Sequence, residues 1–203
     1  MNKILYEYGS KILYKHIIDK RYIIQYNDEI FINTIANLDE ENIKTIFEKE
    51  LHNIINNIDI PVEYKEELKI LETEIIVRNK TKDDNYYFNW HFDDKKLIVQ
   101  SKKNKDALHN LEIIYEDDKN IYGLYNKNND KKLVYTLIFY TNTHNIDFIG
   151  GEFCFIDKII KPQKGMILLF HCDELHKVNL LNNGKRKAIV VKFYKYNNFS
   201  TSK

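Results

Sequence analysis

The segment WHFDD, residues 90–94, contains a histidine and an aspartate in an arrangement suited to binding a metal ion. Side chains two residues apart on a β-strand point to the same face, so His91 and Asp93 can both reach one ion. One imidazole and one carboxylate make up two thirds of the 2-His-1-carboxylate triad, which suits non-haem Fe(II) because it leaves coordination positions open. The pair alone is a weak signal, since a surface histidine beside an acid also produces it.

The C-terminal stretch, residues 165–194, adds another histidine and a fixed positive charge. Arg186 comes ten residues after His176, and an Asn-Asn-Gly turn lies between them. A guanidinium binds a carboxylate through two parallel hydrogen bonds and does not lose its charge. A metal-bound dicarboxylate needs such a partner at its far end, and this requirement makes the arginine informative.

Five short motifs, taken in chain order, resemble those of the prolyl 4-hydroxylase and lysyl hydroxylase group of Fe(II)- and 2-oxoglutarate-dependent oxygenases. They are HxD, a GGE-type turn, P-x-x-G, H-x-V and G-x-R, at residues 91–93, 150–152, 162–165, 176–178 and 184–186. The resemblance covers residues 135–194 well and 75–93 less closely. Each motif alone is weak, and it is their combination that is specific.

The resemblance implies that His91, Asp93 and His176 ligate Fe(II). His171 competes with His176 for the third position, but Cys-Asp-Glu follows it and reads as a turn, and no arginine follows at the spacing of the group. The resemblance also implies 2-oxoglutarate (2OG) as cosubstrate and O2 as oxidant, and it allows ascorbate as a further cofactor.

A second set of residues is implied to bind 2OG. Arg186 would pair with its distal carboxylate, and Tyr140 falls where such enzymes often place a tyrosine hydroxyl on the same carboxylate. Thr136 would share the strand face of Tyr140 and line the pocket. With 15 tyrosines in the chain, Tyr140 is also readily explained as a packing residue. Lys185 and Lys187 are alternative anchors, although an ammonium lacks the planar fork of a guanidinium.

By this resemblance the chain hydroxylates a protein or peptide side chain, prolyl first and lysyl second, and releases succinate and carbon dioxide. A small-molecule hydroxylase of the same superfamily is an alternative. Repair of alkylated nucleic acid is disfavoured, because Lys192 stands where those enzymes place a second arginine. A non-catalytic jelly-roll module that binds zinc is a further rival, but Cys154 and Cys172 lack the spacing of a structural zinc site.

The elements that must position these residues are mainly strands. About ten short strand-like segments follow residue 71, separated by turn residues, and they predict a jelly roll, or double-stranded β-helix. Residues 40–58 carry apolar side chains at helical spacing after Asp39, a favoured N-cap, and a shorter helix is predicted over 62–70. The fold class is therefore predicted as mainly β (α+β), with a supporting N-terminal helix.

Three further parts of the chain complete this prediction. The segments at 21–26 and 29–36, rich in isoleucine and aromatic residues, read as strands. Residues 94–133 are charged and irregular and read as an insertion or a flap. Because no linker or repeat divides the chain, residues 1–203 are predicted to form a single oxygenase domain.

The Asn-Asn-Gly turn decides whether the second histidine and the arginine face the same side. We predict a hairpin with a three-residue loop ending at Gly184, which then has a positive φ. This register pairs Leu180 with Arg186 and His176 with Val190. Cross-strand partners share a face, so Arg186 and His176 are predicted to point into one cavity.

Composition favours a soluble protein with one core. Hydrophobic residues make up 43% of the 203 residues, and the net charge of +1 gives no general attraction to nucleic acid or anionic lipid. No apolar run reaches the ~18 residues of a membrane span, and the N-terminus lacks the apolar core of a signal peptide. We expect an intracellular protein in which the two cysteines are free thiols.

Overall fold

The computed structural model describes residues 21–93, 95–101, 111–116, 120–126 and 131–196. Three α-helices lie within this part of the chain: α1 at Glu29–Asn37, α2 at Glu40–Asn57 and α3 at Val62–Ile70. A 3-10 helix follows at Lys82–Asp84. No helix in these ranges is long and apolar enough to cross a membrane.

Helix α2 confirms the helix predicted over 40–58. The side chain of Asp39 caps it by accepting a hydrogen bond of 2.9 Å from the backbone nitrogen of Asn42. Its buried face carries apolar residues at helical spacing, among them Ile43 and Phe47. The shorter helix predicted over 62–70 is also confirmed, as α3.

The strand predicted at 29–36 is wrong, because this segment forms helix α1. The side chain of Asp28 accepts a hydrogen bond of 2.9 Å from a backbone N–H in the first turn and caps the helix. Ile32 and Ile35, three residues apart, are buried, whereas Ile30 is exposed. Packing of this helical face against the core outweighs the weak strand preference of isoleucine and phenylalanine.

Thirteen strands follow one another in the described ranges, and most occupy the segments predicted as strands. They are β1 Arg21–Gln25, β2 Glu72–Thr81, β3 Phe88–His91, β4 Lys95–Ser101, β5 Leu111–Glu116, β6 Asn120–Asn126, β7 Lys131–Tyr140, β8 Phe148–Gly150, β9 Phe153–Phe155, β10 Ile159–Ile160, β11 Met166–His171, β12 His176–Val178 and β13 Leu181–Tyr196.

Two antiparallel sheets form the body of the fold. The first has the order β1-β11-β7-β13-β2, with β8 paired to β13, and the second has the order β10-β9-β12-β3. From β2 onward the chain alternates between them: β2, β7, β11 and β13 enter the first sheet, and β3, β9, β10 and β12 enter the second. This alternation is the winding of a jelly roll, so the mainly β fold class is confirmed.

The first sheet has a different partner on each face. Leu137 and Phe139 on β7 join the apolar cluster formed with helices α1–α3. Their neighbours Thr136, Ile138 and Tyr140 point to the opposite face, toward the second sheet, because side chains alternate along a strand. The helices therefore support the sheet from outside, and the space between the two sheets is left for the site.

A third, smaller sheet occupies the segment predicted as an insertion. Strands β4, β6 and β5 pair in that order, all antiparallel. Residues 94, 102–110, 117–119 and 127–130 lie outside the described part of the chain, as do 1–20 and 197–203. An insertion or flap at 94–133, and a single domain over 1–203, remain predictions.

The predicted hairpin between β12 and β13 is wrong. Strand β12 pairs with β3 and β9 in the second sheet, whereas β13 pairs with β8, β7 and β2. The chain crosses between sheets after Val178, so neither predicted pairing forms. The positive φ of Gly184 is confirmed at 78°, and a Cβ there would collide with the carbonyl oxygen of Asp147.

Candidate active site

Three side chains with metal-binding atoms meet at the edge of the second sheet. His91 ends β3, Asp93 follows two residues later, and His176 begins β12, directly opposite His91 in the antiparallel pair. The two imidazole centroids are 4.3 Å apart, and Nε2 of His176 is 3.9 Å from Oδ1 of Asp93. The ligand atoms of all three residues lie within 4.8 Å of one another.

Both imidazoles are oriented by backbone carbonyls. Nδ1 of His91 lies 2.6 Å from the carbonyl oxygen of Asn89, and Nδ1 of His176 lies 2.8 Å from that of Glu174. A carbonyl only accepts, so each Nδ1 carries a proton, and in the neutral ring Nε2 then holds the lone pair. Burial lowers the pKa of His176 to about 4, which keeps the ring in the neutral form that a metal ligand requires.

The carboxylate of Asp93 is held from the first sheet. Its Oδ2 accepts a hydrogen bond of 2.6 Å from the hydroxyl of Thr136 on β7, and Nζ of Lys192 on β13 lies 3.7 Å from Oδ1. Burial alone would raise the pKa of Asp93, but His176, Lys192 and the Thr136 hydrogen bond lower it below its usual value. Thr136 thus lines the cavity and contacts Asp93, and its predicted role in binding 2OG stays a prediction.

Arg186 is a buried cation at the other end of the same space, only 2% exposed. Its Nε donates to the carbonyl oxygen of Gly151 at 3.1 Å, and its Nη atoms lie 3.5 Å from the hydroxyl of Tyr86 and 3.4 Å from that of Tyr140. Burial raises the pKa of Tyr140 to about 12, so its hydroxyl stays protonated. No carboxylate in the described ranges lies within ion-pair distance of Arg186.

The backbone of the GGE-type turn lies against the side chain of this arginine. Gly151 has a φ of 66°, and a Cβ on it would lie 3.0 Å from Cδ of Arg186. The adjacent Glu152 points elsewhere, because its carboxylate accepts from Nδ2 of Asn179 at 3.1 Å and lies 2.9 Å from Nε2 of His144. This turn therefore positions Arg186 and ties neighbouring segments together.

A cavity of about 340 Å³ between the two sheets joins the His-Asp-His cluster to the arginine. Apolar side chains from both sheets form much of its wall, and the charged residues in the wall are Arg78, Asp93, Arg186 and Lys192. Its lining residues are Arg78, Tyr86, Phe88, His91, Asp93, Thr136, Ile138, Phe153, Phe170, His176, Val178, Arg186, Val190 and Lys192.

The alternatives left open by the sequence lie elsewhere. His171 belongs to a separate cluster with its two following residues, and its ring contacts Tyr135 on β7. Lys185 is exposed. Nζ of Lys187 lies 2.7 Å from the carbonyl oxygen of Leu38 and 3.0 Å from that of Ala36, at the C-terminal end of α1. None of the three reaches the cavity.

Tyr86, Arg78 and Lys192 are cavity residues whose positions the motifs did not predict. Tyr86 opens the segment YYFNWHF but is one of 15 tyrosines, so its type carries little information. Its hydroxyl meets an arginine 100 positions away in the chain. The alternation of β13 does put Lys192 on the face of Arg186, which is the one local signal available.

The family of the chain follows from a direct comparison of sequence. Residues 76–195 match the family model of the 2OG-Fe(II) oxygenase superfamily. This is more than half of the chain, and the chain therefore belongs to that superfamily. The predicted enzyme class, Fe(II) and 2OG are confirmed at this level, and O2 with an oxidisable substrate is implied. Use of ascorbate stays a prediction. No curated protein sequence matches the chain.

Solved structures similar to the chain are distant. The 2OG complex of the viral collagen prolyl hydroxylase vCPH from Paramecium Bursaria Chlorella virus-1 matches at 14% identity and a TM-score of 0.43, over 95% of this chain and 90% of that chain. Apo HygX from Streptomyces hygroscopicus matches at 12% identity and a TM-score of 0.45, over 87% and 82%. Values this low say nothing about the substrate of this chain.

Proposed function

We propose that this chain is an Fe(II)- and 2OG-dependent dioxygenase that hydroxylates a protein side chain, prolyl in preference to lysyl. His91, Asp93 and His176 are the iron ligands, and Arg186 with Tyr140 binds the distal carboxylate of 2OG. The observation that carries the assignment of these residues is a buried arginine without a carboxylate partner in the described chain, in the same cavity as a His-Asp-His cluster. The preference for a prolyl side chain rests on the resemblance of the motifs to those of prolyl 4-hydroxylases.

The donor set fits Fe(II) better than structural zinc. Two neutral imidazoles and one carboxylate provide three ligands and leave coordination positions open for a cosubstrate and oxygen. A structural zinc site wants four ligands, commonly with cysteine. Cys154 does not line the cavity, and Cys172 belongs to the separate cluster beside His171. A non-catalytic zinc module is therefore disfavoured.

The far end of the cavity fits a carboxylate. A guanidinium buried without a counter-ion is costly, and an arriving carboxylate removes that cost by forming two charge-assisted hydrogen bonds. The hydroxyls of Tyr86 and Tyr140 already lie beside the guanidinium and can donate to the same anion. Arg186 and the His-Asp-His cluster line one cavity, so a single dicarboxylate bound to the metal can reach the arginine.

When bound, Fe(II) and 2OG use O2 to hydroxylate an unactivated C–H bond, with release of succinate and carbon dioxide. The chain's own contribution is to fix three ligands, to anchor the cosubstrate and to exclude water. Phe153, Phe170 and Val178 form apolar wall beside the histidines, and the ring of Phe153 stacks on His176 with a centroid distance of 5.0 Å. These side chains make the cavity apolar on the side of the histidines.

The test has two levels. Succinate release from 2OG with added Fe(II), measured without any prime substrate, tests the cofactor chemistry. A peptide and proteome screen read by mass spectrometry then identifies proteins that gain one oxygen atom, and the proposal expects that oxygen on proline. Absence of both 2OG binding and succinate release with Fe(II) present would reject the oxygenase assignment of these residues.

A further inference from the structure

Two cations besides Arg186 line the cavity. Arg78 lies on β2 opposite Ala188, and Lys192 lies on β13 opposite Thr136. Cross-strand partners share a face, so both side chains belong to the wall that the first sheet turns toward the second. Neither residue is a member of the motifs that define the metal cluster or the carboxylate anchor.

The charges of the lining do not balance. The cavity wall holds three cations, Arg78, Arg186 and Lys192, against the single carboxylate of Asp93. In the proposed function the charge of Fe(II) is equal and opposite to that of the 2OG dianion, so loading both leaves the surplus of positive charge unchanged. A cavity wall with surplus charge of one sign attracts an ion of the other.

Neither of the two cations is neutralised by a carboxylate of its own. Arg78 has no ion pair within the described part of the chain. Lys192 meets Asp93 at 3.7 Å, but in the proposed function that carboxylate is shared with the metal. Glu74, opposite Lys192 on β2, forms no ion pair with it there and accepts a hydrogen bond of 2.8 Å from the hydroxyl of Tyr194.

The position of Lys192 separates its role from that of Arg186. The two residues are six positions apart on β13, about 20 Å along an extended strand. Arg186 lies at the closed end with Tyr140, whereas Lys192 lies at the level of Thr136 and Asp93, where the substrate must meet the metal. A charge there acts on the substrate close to the carbon that is oxidised.

We propose that the substrate presents a carboxylate beside the oxidised carbon, and that Arg78 and Lys192 bind it. The inference rests on the proposed function and narrows it. A prolyl residue next to an aspartate or glutamate meets this requirement, whereas the ammonium of a lysyl target would lie against two cations. A free small acid offers the same chemistry, and its binding is distinguished from that of a peptide by experiment.

The test measures binding without turnover. The protein loaded with Fe(II) and 2OG is titrated anaerobically, by calorimetry, with capped peptides in which a central proline is flanked by Asp, Asn or Lys, and with L-proline against L-prolinamide. We expect each carboxylate probe to bind about tenfold or more tightly than its amide, and the Lys-flanked peptide to bind weakest. A peptide preference supports an acidic protein substrate, and a preference limited to L-proline supports a free acid.

Matched variants show whether Arg78 and Lys192 cause the preference for a carboxylate. Arg78→Gln and Lys192→Gln should each reduce the preference for Asp over Asn, whereas Lys185→Gln, an exposed lysine on the same strand, should not. Arg78→Glu should shift the preference toward the Lys-flanked peptide, a gain that a misfolded variant cannot show. The affinity for 2OG should stay unchanged in Lys185→Gln, and a large loss of 2OG affinity in Arg78→Gln or Lys192→Gln would reassign that cation to the cosubstrate.

Two failures are distinguishable. If the unmodified protein neither binds 2OG nor releases succinate, the proposed function is contradicted. Normal succinate release with equal binding of carboxylate and amide probes, or with no measurable binding of any carboxylate probe, overturns the charge inference and leaves the proposed function standing.

Discussion

At the scale of single residues, the site separates into groups that contact the metal position and groups that orient them. In His91 and His176, Nδ1 donates a hydrogen bond to a backbone carbonyl oxygen. This bond fixes the tautomer and orients Nε2 toward the proposed metal position. Asp93 depends instead on a side chain, Thr136, from the opposite sheet. Of the three proposed ligands, the carboxylate is therefore the one whose geometry depends most on packing between the sheets.

Removing any one of the three ligands should abolish Fe(II)-dependent turnover of 2OG. His91→Ala, Asp93→Ala and His176→Ala each leave two donors, which do not hold iron productively. The measurements are bound iron per chain and succinate release. His171→Ala is the matched control and should retain activity, and an inactive His171→Ala beside an active His176→Ala would reverse the choice of ligand.

Replacing Arg186 with lysine should raise the 2OG KM without preventing folding. The planar fork is lost, and a charge-assisted hydrogen bond is worth roughly 1.5–3 kcal/mol, or about ten- to a hundred-fold in affinity. Steady-state succinate release over a range of 2OG concentrations measures the change, with Lys185→Ala as control. An unchanged KM would show that the anchor lies elsewhere.

Thr136→Val should weaken iron binding about ten- to a hundred-fold, the range seen when an outer partner of a metal ligand is lost. The shape of the side chain is conserved, so the effect reports the hydrogen bond to Asp93. Thr141→Val is a matched control, because this buried hydroxyl donates to the carbonyl oxygen of Lys187 at 3.2 Å and does not touch the metal cluster. Equal iron affinity in both variants would contradict the role of Thr136.

At the scale of elements, the two sheets and the helices meet on the long strand β13. Its inward face carries Arg186 and Lys192 to the cavity, and its outward face carries Ile189 and Val191 to the helix-side core. Lys187 is also on the outward face and reaches the C-terminal carbonyls of α1. One strand thus links the proposed cosubstrate anchor, the proposed substrate-binding lysine and the contacts with the helices.

Lys187→Met should destabilise the fold by about 2 kcal/mol, because charged hydrogen bonds to the unpaired carbonyls at the end of α1 are lost. Chemical denaturation of Lys187→Met beside the exposed control Lys185→Met measures the difference. The 2OG KM should not move, since Lys187 faces the helices. A raised KM with unchanged stability would instead support Lys187 as the anchor.

At the scale of the whole molecule, the proposed cofactors connect the two sheets. The histidines come from the second sheet, and Arg186 comes from the first. In the proposed function a metal-bound 2OG spans both sheets, so its binding energy would oppose their separation. The stability of the jelly roll is therefore coupled to occupancy of the site.

Fe(II) and 2OG together, under anaerobic conditions, should raise the melting temperature. Ligands at a hundred times their Kd add about 2.7 kcal/mol, and each kcal/mol is worth roughly 2–4 °C in a domain of this size. Differential scanning calorimetry measures the shift, and chelation of the metal should reverse it. The shift should shrink in Arg186→Lys, and a full shift in that variant would mean that 2OG does not bridge the sheets.

Several parts of this protein were determined by the sequence alone, because they depend on neighbours along the chain. The HxD spacing predicted that His91 and Asp93 lie close together, and they do, although β3 ends at His91 and Asp93 lies in a bend after it. A capping aspartate with apolar residues at helical spacing defines α2. The order of motifs identified the superfamily, and the positive φ of Gly184 follows from the residue type at a turn.

Only the tertiary structure decided which distant segments meet. The sequence predicted a hairpin at β12–β13, but the chain crosses between sheets there, and Arg186 faces His176 because the two sheets face each other. Tyr86 joins an arginine 100 positions away, and Arg78 reaches the cavity because β2 pairs with β13. The local sequence pattern determines which side chains of a strand point to the same face. Which strands pair is decided by burial of two apolar sheet faces against each other, and no spacing along the chain encodes that pairing.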